Sequence, residues 1–384
     1  MALDFTLTEE QKALREAAKK FAEKEISPGA MERDIKGEFY REGMTKCGQF
    51  GLLGLPIPRE YGGQGADVIT AMAALEGFGE GSTDGGFNLS LNAHLVICTI
   101  PIWLFGTEAQ KQKYLPKLCS GEWIGAFGLT EPEAGSDSAN VQTTAVKADG
   151  KWILNGTKMF ITNGSLADVV LMIATVDKKL KHRGITAFLV DKGAPGFSVG
   201  KVLDKLGMRS SPTAELVLED CAVPEANLLG EVGKGFKIVT ETLGWERSTM
   251  TAISVGAMER VLQKCLRYAR ERVQFGQPIG SFQEIQHKLA DMKVTAEIVR
   301  LLVYKCAWQK SQGINDMVFN SVTKLFISEA ARQVYLDALQ LHGGYGYMRE
   351  FEVERWLRDS LLATIGGGTS EIQRQIIART LLGL

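Results

Sequence analysis

The chain has 384 residues, a length that one hydrophobic core rarely supports, so the sequence predicts two or three domains. Hydrophobic residues make up 45% and charged residues 23% of the chain, which is ordinary for a soluble globular protein. The net charge of −1 argues against a general attraction of the molecule to nucleic acid or to an anionic membrane.

Residues 1–125 show a helical pattern, with apolar residues three and four apart in stretches such as EEQKALREAAKKFAEKEI. The Pro- and Gly-rich segment GLPIPREYGGQGAD interrupts this pattern and predicts a loop. No run of about 18 apolar residues is present, so we expect no segment that inserts into a membrane. The first residues have neither the order of a secretory signal nor the bias of a transit peptide, which predicts a cytoplasmic protein of the bacterial type.

Residues 126–235 change to short β-type runs such as TTAVKA, DVVLMIATV and GITAFLVD, which predict an antiparallel β domain. The segment FGLTEPEAGSDS opens it and suits either a surface turn or a loop that approaches a polar ring or a phosphate. Further on, Asn155 and Gly156 predict a turn. Phe160 and Thr162 should face the same side by the strand period of two, where Phe160 is either a core residue or a face for a flavin ring.

Residues 236–384 return to long helical patterns such as FQEIQHKLADMKVTAEIVRLLVYKCAWQ. Helical, then β, then helical segments predict an α+β fold with segregated layers. The six cysteines are scattered without a Cys-x-x-Cys pair, which predicts reduced thiols rather than disulfides. The four histidines lie far apart in the sequence, so no metal site is predicted.

Five short motifs follow one another along the chain: TEPEAGSD, KMFITNG, RVQFG, LHGGYGY and GTSEIQR. Each is a weak signal alone, but in this order and at these separations they resemble the acyl-CoA dehydrogenase family over essentially the whole chain. The resemblance implies an N-terminal helical domain (1–125), a middle β domain (126–235) and a C-terminal four-helix bundle (236–384). It also implies FAD as cofactor, an acyl-CoA substrate, an electron-transfer flavoprotein as electron acceptor, and a homotetramer.

The resemblance also assigns FAD contacts to residues of the matching motifs. Those expected to line the flavin are Phe127, Leu129, Thr130, Phe160 and Thr162, with Ser136 at the flavin or at the CoA phosphates. Those expected to reach the FAD of a neighbouring subunit are Arg272, Phe275 and Gln283, with Arg272 at the pyrophosphate. Those expected at the adenosine half are Gln340, Gly343 and Gly344. Thr369 and Glu371 begin the last helix and are expected to close over the cofactor.

The catalytic base departs from the usual family pattern. Most members place a glutamate directly before the Gly-Thr pair of the last motif, but this chain has Gly367 there. A minority branch, which includes isovaleryl-CoA dehydrogenases, places the base early in the C-terminal domain, before an arginine. The matching segment TLGWERSTMTAISVGA offers Glu246 as the base and Arg247 as a ligand of the CoA portion.

Residue types alone support this choice without deciding it. Between Glu241 and Glu259 the only charged residues are Glu246 and Arg247, and a carboxylate on an otherwise uncharged helix is costly unless it serves a site. Taken without the resemblance, Glu246 could also be a solvated surface residue and Arg247 a cation that extends to the surface.

For this branch the resemblance implies α,β-dehydrogenation of an acyl thioester. Glu246 would abstract the α-proton, the flavin would take the β-hydride, and the backbone N–H of Gly367 would help to polarise the thioester carbonyl. Because Gly366 and Gly367 leave space beside the reacting carbons, we expect a short branched or alicyclic acyl-CoA. Asn92 and His94 are candidates for the far wall of the acyl pocket, and equally for core residues.

Three other functions stay open at this point. A flavin oxidase or monooxygenase would use oxygen in place of an electron-transfer protein. A dehydrogenase of carrier-protein-bound acyl groups would need a basic docking patch in place of a CoA adenine pocket. A non-enzymatic relative would have lost its site residues, whereas Glu246, Arg247, Arg272, Phe275, Gln340 and Thr369 are all present.

Overall fold

The structure is a computed structural model that describes residues 6–384. Its first part is helical, and α1 and α7 each begin at a capping box, formed by Thr8 with Gln11 and by Thr107 with Gln110. The helices of this part are α1 (Glu9–Glu25), α2 (Ala30–Lys36), α3 (Arg41–Phe50), α4 (Val68–Gly81), α5 (Gly85–His94), α6 (Ile100–Phe105) and α7 (Glu108–Cys119).

Helices α5 and α6 are joined by a π-helical turn into one apolar stretch, Gly85–Phe105. By length and composition this 21-residue stretch is able to cross a membrane, which the search for apolar runs in the sequence did not predict. In the fold, 78% of its apolar window is buried inside the molecule. The stretch therefore has the surroundings of a core helix.

The middle part is one eight-stranded sheet with the order β6-β7-β3-β2-β4-β5-β8, in which β1 lies beside β4. Its strands are β1 (Gly125–Gly128), β2 (Thr144–Ala148), β3 (Lys151–Thr162), β4 (Val169–Thr175), β5 (Ile185–Asp191), β6 (Phe197–Val202), β7 (Thr213–Pro224) and β8 (Leu228–Leu229). The predicted antiparallel pairing is found for five neighbouring pairs, but β1 and β2 each run parallel to β4. Alternation of residues along a strand does not encode the direction of its neighbour, so this mixture was not predictable.

The predicted turn at Asn155 and Gly156 is wrong, because β3 continues through both residues. The pairing of β3 with β7 shifts register at this point and again before Ile161. The amide of Asn155 donates to Asp220 Oδ1 over 3.0 Å, which occupies the polar group that suggested a turn. The second shift contains Phe160 with a φ of 61°. It interrupts the period of two on which the shared orientation of Phe160 and Thr162 rested.

The last part is the predicted helical bundle, in which α11 packs against α9, α10 and α13. Helix α4 contacts α9 and α10, so the first and last parts share one hydrophobic core. The elements of the last part are α8 (Gly235–Trp245), α9 (Thr251–Glu271), β9 (Val273–Gln274), β10 (Gln277–Pro278), α10 (Gln283–Ser311), α11 (Met317–His342), α12 (Val353–Ser360) and α13 (Ser370–Leu382).

All six cysteines are buried and free. Among residues 6–384, no cluster of three or more His, Cys, Asp or Glu side chains is arranged to hold a metal ion.

Candidate active site

A π-helical turn connects α8 to α9, and Glu246 is its first residue (Glu246–Met250). The hydroxyl of Ser248 donates to the carbonyl of Gly244 over 2.8 Å, a bond that competes with the regular helical ladder. Such turns inside helices occur often at functional sites, because they redirect side chains. The turn thus gives Glu246 and Arg247 a local geometry that a regular helix would not have.

The π-helical turn between α5 and α6 (Leu95–Thr99) contacts the turn that begins at Glu246. It too contains a hydroxyl that donates to a backbone carbonyl. Here the hydroxyl of Thr99 donates to the carbonyl of His94 over 2.9 Å. Two irregular turns from different domains therefore meet beside Glu246.

The second component of the site is the glycine turn before α13. Gly367 and Gly368 have φ angles of 66° and 92°, a backbone conformation that favours glycine. The Gly367 carbonyl accepts from Arg247 Nε over 3.2 Å and from Gln373 Nε2 over 3.1 Å. The Gly368 carbonyl accepts from Lys324 Nζ over 2.6 Å and from Gln373 Nε2 over 3.0 Å. Side chains from three elements therefore fix this turn.

The two components converge on one point. A Cβ placed on Gly367 would lie 3.0 Å from Oε1 and 3.1 Å from Cδ of Glu246. The Glu246 carboxylate thus occupies the space beside residue 367, although the two residues are distant in the sequence. Glu246, Arg247 and Gly367 are brought together as the sequence predicts.

Glu246 is half-buried, and its electrostatic surroundings are unusual for such a carboxylate. Within residues 6–384 it has no ion-pair partner within 4 Å, since the guanidinium of Arg247 is directed to the Gly367 carbonyl. Burial raises the pKa of Glu246, and the positive charges of Arg247 and Lys324 oppose that rise. A carboxylate with a raised pKa near opposing cations is suited to accept a proton at neutral pH.

The loop expected at the flavin follows β1. Phe127 is a buried residue of β1, and Leu129 and Thr130, which follow, are half-buried. The carbonyl of Leu129 accepts from Lys158 Nζ over 3.2 Å, and Lys158 also bonds to Glu131 Oε1 over 2.6 Å. The buried Glu131–Lys158 pair was not predicted from the sequence, and it fixes the position of the loop. Ser136 lies further along the same loop and is exposed.

The motif on β3 places Phe160 and Thr162 at its end. Phe160 is 65% exposed, so it is not a core residue, and Thr162 is half-buried. Asn163, which the sequence analysis did not single out, is buried with a φ of 63°. Its amide donates to the carbonyls of Ser90 over 2.9 Å and Gly125 over 3.3 Å. It thereby ties the flavin-side motif to α5 and β1.

A cavity of about 510 Å³ joins two predicted groups of cofactor residues, since Arg272, Gly343 and Gly344 all line it. The guanidinium of Arg272 lies 5.3 Å from the ring centre of Tyr345. A Cβ added to Gly343 or Gly344 would meet nothing within 4 Å, which leaves an open surface beside a cation. Gln340 is exposed at the end of α11, outside the lining of this cavity.

Phe275 and Gln283 do not line this cavity. Phe275 and Gly276 form the two-residue tip of the β9–β10 hairpin, with φ angles of 50° and 80°, and such tips favour positive φ. Phe275 is 91% exposed, and Gln283 is exposed at the start of α10. Both residues are exposed, although the Phe275 ring also lies edge-on to the Phe282 ring of its own chain at 6.0 Å.

Thr369 is the N-cap of α13, where its hydroxyl accepts from the Ile372 N–H over 3.3 Å. Thr369 and Glu371 line a smaller cavity of about 250 Å³ together with Glu329 and Arg332. The predicted position at the start of the last helix is therefore correct, and it adjoins the glycine turn.

Of the two candidates for the far wall, His94 is a core residue. Its Nδ1 accepts from the Gly125 N–H over 3.0 Å and its Nε2 lies 3.0 Å from the Leu118 carbonyl. Burial lowers the pKa of His94 to about 4, so it stays neutral. With both ring nitrogens engaged and no exposed surface, His94 has no group left for a substrate. Asn92 is buried on the same helix, α5.

Three domain families match the chain. The N-terminal domain of acyl-CoA dehydrogenase matches residues 8–122, the middle domain residues 126–221, and the C-terminal domain residues 233–382. An acyl-CoA dehydrogenase of Bacillus subtilis (strain 168) is 45% identical, and the similarity covers 98% of this chain and 99% of that protein. The mitochondrial isovaleryl-CoA dehydrogenase of Oryza sativa subsp. japonica is 43% identical, over 99% of this chain and 92% of that protein.

The fold is also similar to solved structures. The crystal structure of the prolyl acyl carrier protein oxidase AnaB has a TM-score of 0.97 at 43% identity, and covers 99% of this chain and 100% of that one. The similar structures include complexes with FAD.

Proposed function

The chain belongs to the acyl-CoA dehydrogenase family, and from that premise we propose that it oxidises a short branched or alicyclic acyl-CoA, with Glu246 as the base. The comparisons establish the coarser function, an FAD-dependent oxidoreductase that acts on a CH–CH bond. The observation that carries the assignment of the base is the 3.0 Å between Glu246 Oε1 and a Cβ built on Gly367. Glu246 thus fills the place where most members of the family have their glutamate.

Each residue of the site has a separate role in the proposed reaction. Glu246, whose pKa burial raises, removes the proton from the α carbon of the thioester. The N–H of Gly367 belongs to a turn that four side-chain hydrogen bonds hold in place, so it offers a fixed donor to the thioester carbonyl. FAD, when bound, would supply the acceptor for the hydride of the β carbon. Arg247 lies beside the base and is our candidate ligand for the CoA portion.

The described surfaces fit FAD. Arg272 supplies a cation to a cavity whose glycines leave room for a flat group, as a pyrophosphate and an adenosine require. The exposed ring of Phe160 offers a face to the flavin. The exposed hairpin tip at Phe275 fits a neighbouring copy, and we propose a homotetramer that completes each FAD site. We also propose a cytoplasmic location and an electron-transfer flavoprotein as acceptor.

The test is a turnover screen of acyl-CoA thioesters with an artificial electron acceptor, beside an absorbance spectrum of the purified protein. We expect a flavin spectrum with one FAD per chain, formation of the 2-enoyl thioester, and little oxygen consumption. Rapid turnover with oxygen alone would make the protein an oxidase instead.

A second candidate is a dehydrogenase of carrier-protein-bound acyl groups, because the chain has the basic patch that this function requires. The patch, here called the α8 patch, combines the β4–β5 connection with the start of α8, where the rings of His182 and Phe236 lie 5.9 Å apart. Its exposed cations form no ion pair within residues 6–384. They are Lys178, Lys179, Lys181, Arg183, Lys234 and Lys237.

The location of the α8 patch also suits a carrier. Helix α8 has 11 residues, which span about 16 Å at about 1.5 Å per residue, and Glu246 follows its far end. Leu180 and Val232 are exposed apolar residues in the patch. An acidic carrier domain that docks here would extend its prosthetic arm along α8 toward the base.

The two substrates are distinguished by a triple variant, Lys179→Gln, Lys181→Gln and Arg183→Gln, beside a control that changes Lys12, Lys20 and Lys24 of α1 to Gln. A loss of kcat/KM in the triple variant with an acyl carrier protein thioester, but not with the acyl-CoA, would support the carrier. The remaining kcat/KM with the carrier should also depend less on the salt concentration. No difference from the control with that substrate would eliminate it.

A further inference from the structure

We propose that Lys324 is a positioning residue for the reaction: it fixes the glycine turn beside Glu246 and keeps that carboxylate ionised. Lys324 lies on α11 and is buried. Its Nζ donates to the carbonyl of Gly368 over 2.6 Å. This inference rests on the proposed role of Glu246 as the base.

The hydrogen bond alone does not explain a charged side chain at this position. The amide of Gln373 already donates to the same Gly368 carbonyl over 3.0 Å, and also to the carbonyl of Gly367 over 3.1 Å. A neutral donor is therefore sufficient for the backbone. Burial of an ammonium group is costly unless an opposite charge offsets it.

The charges around Lys324 show what offsets this cost. Glu246 from the π-helical turn, Glu329 from α11 and Glu371 from α13 favour its charged form, and Arg247 opposes it. Glu246 has the largest effect among these charges. Within the described residues no carboxylate lies within 4 Å of Lys324 Nζ. The ammonium thus acts on Glu246 as a nearby charge without forming a contact pair that would occupy the carboxylate.

The placement of the two cations around Glu246 satisfies two requirements of a base at this position. A hydrogen-bonded pair with a lysine would hold the Glu246 carboxylate away from the α-proton and weaken it as a base. Without any cation, nothing would oppose the rise that burial causes in the pKa of the carboxyl. Burial raises the pKa of Glu246, while Lys324 and Arg247 limit the rise, and burial lowers the pKa of Lys324 to about 8. Below that pH the lysine carries its charge.

The planar peptide links this charge to the geometry of the site. Because the peptide bond is planar, a fixed carbonyl also fixes the N–H of the next residue. Lys324 and Arg247 hold the consecutive carbonyls of Gly368 and Gly367. The same cations that bear on Glu246 therefore fix the N–H groups of Gly368 and Thr369, which directly follow Gly367 in the turn.

The test compares Lys324→Met, Lys324→Gln, Lys324→Arg and Gln373→Leu in the FAD-loaded enzyme, with kcat/KM measured as a function of pH. For Met and Gln we expect the acidic limb to move to higher pH by on the order of 1 unit, with about a tenfold loss at neutral pH. Arg should keep the limb at its wild-type position. Gln373→Leu removes a neutral donor, so it should lower kcat without moving the limb.

Folding is checked by the flavin spectrum and by thermal unfolding. The inference would be overturned if the acidic limb of kcat/KM stayed at its wild-type pH in both Lys324→Met and Lys324→Gln. It would also be overturned if Lys324→Arg moved the limb as far as the neutral variants do. Glu246→Gln separates this result from the proposed function. If that variant is inactive while the neutral Lys324 variants keep the wild-type limb, only the role of Lys324 fails. If that variant stays active, the base itself is misassigned.

Discussion

Glu131 is a buried and Glu246 a half-buried glutamate, and their surroundings differ. Glu131 binds Lys158 Nζ over 2.6 Å and accepts from the N–H of Thr143 over 3.0 Å. Burial acts to raise the pKa of Glu131, but Lys158 and the hydrogen bonds outweigh it and hold the pKa below its usual range. Among residues 6–384, Glu246 forms no ion pair within 4 Å, and burial raises its pKa.

The contact partners of the two carboxylates account for the opposite directions in which their pKa values move. Glu131 uses its oxygens to fix the loop that bears Leu129 and Thr130. Glu246 keeps its oxygens available because Arg247 and Lys324 bond to the glycine turn instead. The following predictions test this contrast.

The largest effect is expected for Glu246→Gln. Loss of the base should lower kcat by on the order of 10²–10⁴, while FAD and substrate binding change little. The variant should be no less stable at neutral pH. A carboxyl whose folded pKa is raised binds its proton more tightly in the native state, so ionisation at neutral pH costs stability that Gln does not lose. Steady-state kinetics and thermal unfolding measure both effects. Retention of more than a few per cent of turnover would contradict the assignment.

Glu131→Gln should show the opposite pattern. It leaves the buried Lys158 without its counter-charge and should cost about 3–5 kcal/mol of unfolding free energy. Lys158→Met in the same chain should restore much of that loss, since both charges are then removed. Urea unfolding of the two variants and of the wild type measures this.

The pH dependence gives the control for Glu131. Its folded pKa is lowered, so its contribution is present above the usual glutamate range and is lost as pH falls through the folded value. Glu131→Gln should therefore flatten the acid limb of wild-type stability. An unchanged acid limb would show that the pair does not stabilise the loop as a charged unit.

A smaller recovery is expected from moving the base. Glu246→Gly with Gly367→Glu should regain part of the activity lost in Glu246→Gly alone, because the two positions share one space. Recovery should be incomplete, since a side chain at a φ of 66° costs roughly 1–2 kcal/mol. Gly367→Glu in the Glu246→Gln background should recover less, because the amide still fills the space 3.0 Å from the new Cβ. Equal recovery in both backgrounds would argue against a shared space.

The domain order and the pairing of Glu246 with Gly367 were predictable from the sequence, because five motifs and two departures from the family pattern carry them. Lys324, Gln373 and the Glu131–Lys158 pair were not. Glu131, Lys158 and Gln373 belong to the motifs and Lys324 to an ordinary helical pattern, but their roles depend on which groups meet in the fold, and the sequence pattern does not encode those contacts. The wrong turn at Asn155 has the same origin, since Asp220 on β7 supplies its partner.

The smallest effect is expected for the shape of the acyl group. The Glu246 carboxylate takes the space beside Gly367, so the room for a branch on the substrate is expected beside Gly366, where no side chain stands. Isovaleryl and cyclohexanecarboxyl thioesters should therefore exceed straight-chain thioesters of equal carbon number in kcat/KM. The preference should be graded, because one methylene in an apolar pocket is worth only about 1–3 kcal/mol. Butyryl, octanoyl and palmitoyl thioesters complete the series, and Gly366→Ala, at a position where a Cβ meets only the Leu362 carbonyl at 3.7 Å, is the matched variant. It should reduce kcat/KM for the branched and alicyclic substrates more than for butyryl. An optimum at octanoyl or palmitoyl would mean that the two glycines serve only the conformation of the backbone. The absence of an ion pair at Glu246 among the described residues would then matter for its role as the base and not for the choice of substrate.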